Sequence, residues 1–284
     1  MKVAPSRPGF ERIEAYFQGH AFDPHRHDTY AIGITTYGVQ TFGYRGAEQH
    51  SIPGQVIVLH PDEKHDGRAG AGSGFRYRML YIEPVSIQEA LGDHQMPLPF
   101  VASAVNSDPR LVAALKPAFT DLDAPLEDLA FDQITAALAD VLSALDRSSV
   151  RRRLPAVHKR AVQNARDYID ANVEAGVKSD ALERVTGLDR CTLARNFRGH
   201  FGTSPYRYLV MRRLDLARGL IRKGYTLCDA ALSSGFADQS HMTRHFKNAY
   251  GMSPGRWAAF CLTTELPPTG PTSICKEDEY PCGS

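Results

Sequence analysis

Two arginines stand at equivalent positions of an internal repeat, and their side chains suit the recognition of base edges. The repeat spans Leu193–Pro205 and Met242–Pro254, so its copies lie 49 residues apart. Each copy has an arginine (Arg195 or Arg244), a phenylalanine two residues later, and then a basic residue, an aromatic residue, a glycine and Ser-Pro. Arginine can donate two hydrogen bonds to the major-groove edge of guanine. The repeat therefore predicts two similar units that read DNA.

A helical period places the basic residues of each copy opposite an apolar stripe. At ~100° per residue, the apolar stripe of the first copy consists of Leu193, Phe197 and Phe201. The opposite face of the same helix carries Cys191, Arg195 and Arg198. The second copy has the same division, with Met242, Phe246 and Tyr250 against Ser240, Arg244 and Lys247. A face with an early arginine and a base one turn later suits the major groove, with the later base near phosphate.

The segments around the two copies predict helix–turn–helix units. A shorter helix that ends in glycine precedes each copy, over Ala181–Gly187 and Leu227–Gly235. Glycine can adopt the left-handed conformation that turns one helix into the next. Ser-Pro at the end of each copy provides an N-cap hydroxyl and a proline at the first helical position. Between the copies, Pro205–Lys223 predicts one rigid helix, which would hold the units one turn of B-DNA apart, ~34 Å.

Charge is unevenly divided along the chain although the net charge is only +1. Residues 1–150 contain 12 Lys/Arg against 19 Asp/Glu, residues 151–262 contain 20 against 9, and residues 263–284 contain 1 against 4. The basic middle segment favours a polyanionic partner for this part of the chain. A chance segregation of surface charge is the alternative explanation. Arg151–Arg153 would lie either near phosphate or in a solvated linker.

Residues 157–262 resemble the AraC-type DNA-binding domain, which has seven helices and two helix–turn–helix units. The most specific part of this resemblance is Gly235–Phe246, followed by Tyr250–Pro254. The resemblance implies a sequence-specific transcription regulator. With the exposed faces above, it assigns ten residues to DNA: Cys191, Ala194, Arg195, Arg198, Gln239, Ser240, His241, Thr243, Arg244 and Lys247. Two residues depart from the family pattern, Glu183 where a small alanine is usual and Ala230 where isoleucine is usual.

The N-terminal half has the pattern of an antiparallel β-sandwich or barrel. Its alternating apolar and β-branched runs predict strands at residues 30–37, 40–44, 55–59 and 76–82, and turn-forming residues separate them. His25-Arg-His-Asp28, Pro53-Gly54 and His60–His65 resemble a cupin-like effector domain over residues 10–84. That resemblance implies a small barrel that binds a small molecule. Its pocket residues would be His25, His27, Tyr30, His65 and Tyr77.

Metal binding by the three histidines is the less favoured interpretation. His25, His27 and His65 match positions that hold metal in catalytic cupins, and neutral imidazoles can bind a divalent ion. No glutamate stands at the usual cupin spacing after His27. We therefore predict no metal and no cofactor. A metal-dependent cupin enzyme with an accessory DNA-binding domain is kept as the alternative function, and an architectural DNA binder without effector control as a third.

Two amphipathic helices are predicted between the barrel and the basic domain. Leu111, Leu115, Ala118, Phe119 and Leu122 share one face of the first, and Leu138, Leu142 and Leu145 continue a second helix after Pro125. These stripes would be buried on the barrel or on a second subunit. We therefore predict an α+β fold with an effector-binding and dimerisation domain at 1–147, a linker at 148–156, a DNA-binding domain at 157–262 and a disordered tail at 263–284.

Composition excludes several other classes of protein. With 43% apolar and 23% charged residues, the chain is neither collagen, coiled coil nor wholly disordered. No apolar run approaches the ~18 residues of a membrane span, and the first residues lack a secretory core. Five cysteines without a C-x-x-C pair fit a reducing cytoplasm. The predicted partners are double-stranded DNA, an unidentified small effector, RNA polymerase and a second copy of the chain, with a folded-back monomer as the alternative.

Overall fold

The computed structural model describes residues 1–5, 7, 9–92, 98–146 and 156–262. Its N-terminal part contains two antiparallel sheets. One has six strands in the order β1 (Lys2–Val3), β2 (Phe10–Phe17), β9 (Phe75–Ile82), β4 (Tyr30–Gly38), β7 (Val56–Leu59) and β10 (Val105–Asn106). The other has four, in the order β3 (His20–His25), β8 (His65–Ala69), β5 (Gln40–Tyr44) and β6 (Ala47–Ser51). All four strands expected from the sequence are present.

The two sheets face each other as a flattened barrel, because their strands alternate inward and outward side chains. On β9, Tyr77 and Met79 belong to the inner core, which they share with Phe42 of the other sheet. Leu80 and Ile82 belong to a second core on the outer face of the six-stranded sheet. Successive side chains of one strand therefore contribute to two different cores.

Three helices cover the outer face of the six-stranded sheet: α1 (Pro84–Ala90), α2 (Pro109–Leu115) and α3 (Asp128–Leu145). The apolar stripes of α2 and α3 pack onto that sheet, so the barrel, and not a second subunit, buries them. The first predicted helix is shorter than expected. Pro117 has no N–H to continue the α-helical pattern, and a 3-10 turn over Lys116–Phe119 follows α2.

The C-terminal part is entirely helical between its turns, as predicted. Its helices are α4 (Ala156–Ala171), α5 (Ser179–Thr186), α6 (Arg190–Phe201), α7 (Pro205–Arg222), α8 (Leu227–Ser233), α9 (Gln239–Tyr250) and α10 (Pro254–Leu262). Two apolar cores lie on either side of α7. Leu209 joins the core of α4, α5 and α6, whereas Leu214 joins the core of α8, α9 and α10. The long helix α7 thus connects two separately packed helical units.

Two predicted segments fall on residues that the structure does not describe. The predicted linker at 148–156 lies outside the described residues except for Ala156, with which α4 begins. Arg151–Arg153 belong to this segment. The tail at 263–284 also lies outside the described residues.

Candidate functional site

The first candidate reading helix, α6, starts and ends at well-defined caps. The Asp189 carboxylate accepts hydrogen bonds from the N–H groups of Cys191 and Thr192, both at 3.0 Å. Gly202 ends the helix with φ of +73°. Leu193, Phe197 and Phe201 are buried as predicted. Of the residues assigned to DNA on this helix, Cys191, Arg195 and Arg198 are exposed and Ala194 is half-buried.

The second candidate reading helix, α9, repeats this design. The Asp238 carboxylate accepts the His241 N–H at 2.7 Å, and Gly251 ends the helix with φ of +65°. Met242 and Phe246 are buried as predicted, whereas Tyr250 is only half-buried and Ala249 completes the stripe. Five of the residues assigned to DNA line one surface groove, namely Gln239, Ser240, Thr243, Arg244 and Lys247.

His241 is turned away from this groove. Its Nε2 lies 3.0 Å from the Nε2 of His245, one turn later on α9, and its ring packs edge-on against Phe236. Burial and the neighbouring His241 lower the pKa of His245. The structure therefore places His241 in a half-buried cluster at the turn, apart from the other predicted reading residues.

The turns and the spacer hold both helices as the sequence predicts. Gly187 and Gly235 have φ of +69° and +84°, the left-handed values that a turn between two helices requires. A contact that the sequence analysis did not anticipate reinforces the first turn, because Glu183 Oε1 accepts the Arg190 N–H at 2.9 Å. The 18 residues of α7 span about 27 Å at 1.5 Å per residue. This length gives a stiff connection between the two units.

Four of the five predicted effector residues line one cavity of about 980 Å³. His25, His27, His65 and Tyr77 face it, together with apolar side chains of the barrel and of α7 and α10. Tyr30 is not among the lining residues. Since neighbouring strand residues alternate between faces, Tyr30 points to the outer core, where its hydroxyl donates to the Pro99 carbonyl at 2.8 Å.

The three histidines lie together in a buried environment. The ring centroids of His25 and His65 are 4.2 Å apart, and those of His27 and His65 are 4.9 Å apart. Burial, with the neighbouring imidazoles, lowers the pKa of His25 and His27 well below the ordinary value, and burial lowers that of His65 to about 4. Among the described residues, no group of three or more His, Cys, Asp or Glu side chains is arranged to hold a metal ion.

Ion pairs join α7 to the barrel at the edge of this cavity. Arg212 lies 3.1 Å from Asp28 and also pairs with Glu83, while Arg218 and Arg222 both pair with Glu11. Burial raises the pKa of Asp28 to about 6, against the opposing effect of Arg212. These acidic partners were not identified from the sequence, although the acidic balance of residues 1–150 is the signal that could have revealed them.

The barrel also touches both reading helices. The Asp23 N–H donates to the Gly251 carbonyl at 2.9 Å, and the Arg26 N–H donates to the Asn248 carbonyl at 3.1 Å, so β3 and the residue that follows it lie against the end of α9. Asp62 lies 3.4 Å from Arg198 of α6 and 3.0 Å from Arg207 of α7. The two halves of the chain are therefore docked along the spacer and the reading helices.

The described part of the chain contains no helix long and apolar enough to cross a membrane. The three cysteines in this part, Cys191, Cys228 and Cys261, are free thiols.

Comparison with known proteins identifies both halves. Residues 7–157 match the AraC-like ligand binding domain, and residues 182–259 match a helix-turn-helix domain. The chain is 26% identical over 237 residues to the uncharacterized HTH-type transcriptional regulator YbfI of Bacillus subtilis, covering 81% of this chain and 86% of that protein. It is 25% identical over 262 residues to the HTH-type transcriptional activator RhaS of Escherichia fergusonii, covering 85% and 89%.

Solved structures show the same fold. The crystal structure of ToxT from Vibrio cholerae superimposes with a TM-score of 0.63 at 13% identity, covering 90% of this chain and 99% of ToxT. The related proteins are regulators, so the metal-dependent enzyme considered from the sequence is not favoured. The chain belongs to the AraC-type transcription regulators, with a ligand-binding domain in its N-terminal half and a helix-turn-helix DNA-binding domain in its C-terminal half.

Proposed function

We propose that the regulator reads a long, non-palindromic DNA site with the outer faces of α6 and α9. The observation that carries this proposal is the position of two capped helices at the two ends of α7, each with an exposed arginine, Arg195 or Arg244. Helices held in this way suit two major-groove segments on one side of a duplex, about one turn apart. Cys191, Ala194, Gln239, Ser240 and Thr243 would contact base edges, and Arg198 and Lys247 phosphates.

His241 is a weaker candidate for base contact than its neighbours on α9. Its ring is half-buried against Phe236 and His245, so it would have to leave that cluster to reach a base. We propose instead that His241 holds the beginning of α9 in position.

The effector is proposed to bind in the cavity between the barrel and α7. His25, His27, His65 and Tyr77 supply the polar part of its barrel side, and Arg212 and Arg218 come from the DNA-binding half. Because both halves line the cavity, a bound molecule contacts both. It changes DNA affinity by the difference in its own affinity for the docked and the undocked arrangement.

Further features are proposed from family membership. The domain limits are 1–147 and 157–262, with a linker between them, and the protein acts in the cytoplasm as a homodimer that contacts RNA polymerase. The stripes of α2 and α3 cannot form the dimer contact, because they are buried on the barrel of the same chain. A dimer would therefore use another surface.

Selection of binding sites from random duplex DNA tests the reading helices. We expect the full chain to recover a site with two separated conserved blocks. Arg195→Ala and Arg244→Ala should each cost ~1–3 kcal/mol and relax the preference within a different block. Arg184→Ala, an exposed arginine on α5, is the control and should leave both blocks unchanged. An equal loss of affinity on scrambled duplexes would contradict base reading and support an architectural binder.

A further inference from the structure

The tautomers of the three cavity histidines are fixed by backbone carbonyls. The Nδ1 atoms of His25, His27 and His65 lie 2.9, 2.9 and 3.0 Å from the carbonyl oxygens of Asp23, Thr29 and Glu63. A carbonyl oxygen can only accept a hydrogen bond, so each Nδ1 carries the proton. In the neutral ring, Nε2 is then an acceptor without hydrogen. None of the three Nε2 atoms has a hydrogen-bond partner among the described residues.

Other polar atoms in the cavity wall also have no hydrogen-bond partner among the described residues. Oδ1 of Asp28 and Oε1 of Gln40 are buried acceptors without a partner among the described residues, and so is the hydroxyl of Tyr77. These three residues are at most 6% exposed. A buried acceptor that finds no donor destabilises the folded state. The barrel side of the cavity is therefore complementary to a molecule that brings O–H or N–H donors.

An anionic molecule is poorly matched to this cavity. Seven carboxylate residues line it, namely Glu11, Asp28, Asp66, Glu83, Asp170, Glu174 and Asp215. Four arginines also line the cavity, namely Arg7, Arg212, Arg218 and Arg222. The three on α7 are already paired with Glu11, Asp28 or Glu83, and Arg7 is paired with Asp128 of α3. An organic acid would have to displace one of these carboxylates and then remain close to it.

The rest of the wall is apolar. Ile13, Phe42, Ile57 and Met79 come from the barrel, and Met211 and Trp257 from the DNA-binding half. The Nε–H groups of Arg212 and Arg218 have no hydrogen-bond partner among the described residues, so they can donate to a hydroxyl or carbonyl oxygen without breaking an ion pair. The cavity wall thus combines apolar side chains with both hydrogen-bond donors and acceptors.

We propose that the effector is a largely apolar molecule with hydroxyl or N–H donors, and not an organic acid. This proposal rests on the proposed effector role of the cavity. The donors would bind the Nε2 acceptors, Gln40 and Tyr77, while the apolar body fills the space between the barrel and α7. A metal ion on the three Nε2 atoms is the competing occupant.

A set of probes with one carbon skeleton tests the chemical class. Calorimetric titration of the full chain would compare 2-naphthylmethanol, 2-naphthoic acid and 2-methylnaphthalene, with zinc chloride as a separate arm. We expect the alcohol to bind at least tenfold more tightly than the acid or the hydrocarbon. Equal or tighter binding of the acid would overturn the proposal, and so would stoichiometric zinc binding that is lost in His27→Phe.

Substitutions in the wall connect that preference to named atoms. Tyr77→Phe and Gln40→Leu should each weaken alcohol binding several-fold and leave hydrocarbon binding unchanged. Tyr30→Phe is the matched control, because its hydroxyl is buried and bonded outside the cavity. Ala31→Leu should narrow the barrel end of the cavity and weaken the probes that bind beside the histidines. If the acid binds and responds to Ala31→Leu, the effector site stands and the class is wrong. If no probe binds, or none responds to Ala31→Leu, the effector site itself is wrong.

Discussion

Arg198 on α6 points at Asp62 of the barrel, with its Nη2 3.4 Å from the Asp62 Oδ2. The same carboxylate lies 3.0 Å from Arg207 and 3.7 Å from Arg26, so one acid serves three guanidinium groups. Arg198 is the residue that the helical pattern of α6 places near DNA phosphate. Asp62 is a negatively charged partner of this arginine, so the barrel would compete with DNA for Arg198 if Arg198 contacts phosphate as proposed.

The first prediction is that Asp62→Asn raises the DNA affinity of the full chain. Removing the charge frees Arg198 and Arg207 for phosphate, while asparagine tolerates the left-handed backbone that Asp62 adopts, with φ of +60°. Because Arg198 is exposed, the released interaction is modest, and we expect a threefold to tenfold gain, about 1 kcal/mol. Fluorescence anisotropy of a labelled duplex at constant salt measures the effect.

Glu48→Gln is the control for this experiment. Glu48 also pairs with an arginine, Arg68, but both lie on the four-stranded sheet, and among the described residues no hydrogen bond or ion pair joins either of them to a helix of the DNA-binding half. The DNA affinity of the Glu48→Gln variant should equal that of the unmodified chain. If Asp62→Asn gains no more than Glu48→Gln, Asp62 does not compete with DNA.

The division of charge along the sequence predicts the kind of partner but not which arginines contact it. It predicts a polyanionic partner for residues 151–262, and this interpretation remains consistent with exposed Arg195, Arg244 and Lys247. Several other arginines of this half instead face acids of the barrel, namely Arg166, Arg198, Arg207, Arg212, Arg218 and Arg222. Charge totals cannot distinguish an arginine that contacts DNA from one that pairs with an acid of the barrel. Both roles use the same side chain, and only the position of the docked barrel decides between them.

Local patterns were sufficient where a single element decides the outcome. The stripe of α6, the serine caps of α7 and α10 and the single helix α7 follow from residues within each element. The positions of side chains that depend on contacts outside their own element could not be predicted in this way. Glu183 caps the next helix through Arg190, and Tyr30 lies outside the cavity because the register of β4 turns it outward. A register cannot be read from one strand alone.

The second prediction concerns the contact between Gly251 and β3. A Cβ at Gly251 would lie 2.6 Å from the Asp23 carbonyl oxygen, and the residue has φ of +65°. Gly187 has nearly the same conformation, φ of +69°, but no atom within 4 Å of such a Cβ. We expect both alanine variants to lose ~1–2 kcal/mol from backbone strain. Gly251→Ala should lose a further ~1–3 kcal/mol from overpacking.

Urea unfolding of the full chain separates the two contributions. Subtracting the loss of Gly187→Ala from that of Gly251→Ala leaves the contribution of the contact between α9 and the barrel. Equal losses would show that the barrel does not press against this glycine in solution.

The third prediction uses two buried tyrosines of the barrel. Tyr30→Phe removes a hydrogen bond to Pro99 and should lower the free energy of unfolding by ~1 kcal/mol. The Tyr77 hydroxyl has no partner among the described residues, so Tyr77→Phe removes an unpaired buried group and should leave the stability unchanged or increase it. Thermal and urea unfolding without added ligand would measure both. A loss in Tyr77→Phe as large as that in Tyr30→Phe would mean that the hydroxyl is bonded in solution.

The last prediction is a loss of stability in mild acid. Burial lowers the pKa of His60 and His65 to about 4, and that of His25 and His27 well below the ordinary value of 6.5. As the pH falls below 6.5, the unfolded chain takes up protons at these imidazoles and the folded chain does not, so the free energy of unfolding falls. Each group contributes up to ~1.4 kcal/mol per pH unit.

Three carboxylates act in the opposite direction, because burial raises the pKa of Asp28, Asp170 and Asp215. The folded-state pKa of Asp28 is raised to about 6 from 3.8, so the folded chain holds an extra proton between these values and gains stability as the pH falls. Between pH 7 and pH 5 the four imidazoles lose more stability than these carboxylates gain, because the unfolded imidazoles titrate within this range, so the free energy of unfolding should fall. His65→Gln should reduce the slope by ~1 kcal/mol per pH unit. Urea titrations of the variant and the unmodified chain at pH 7, 6 and 5 test this, and a slope that His65→Gln leaves unchanged would show that His65 takes up protons equally in both states.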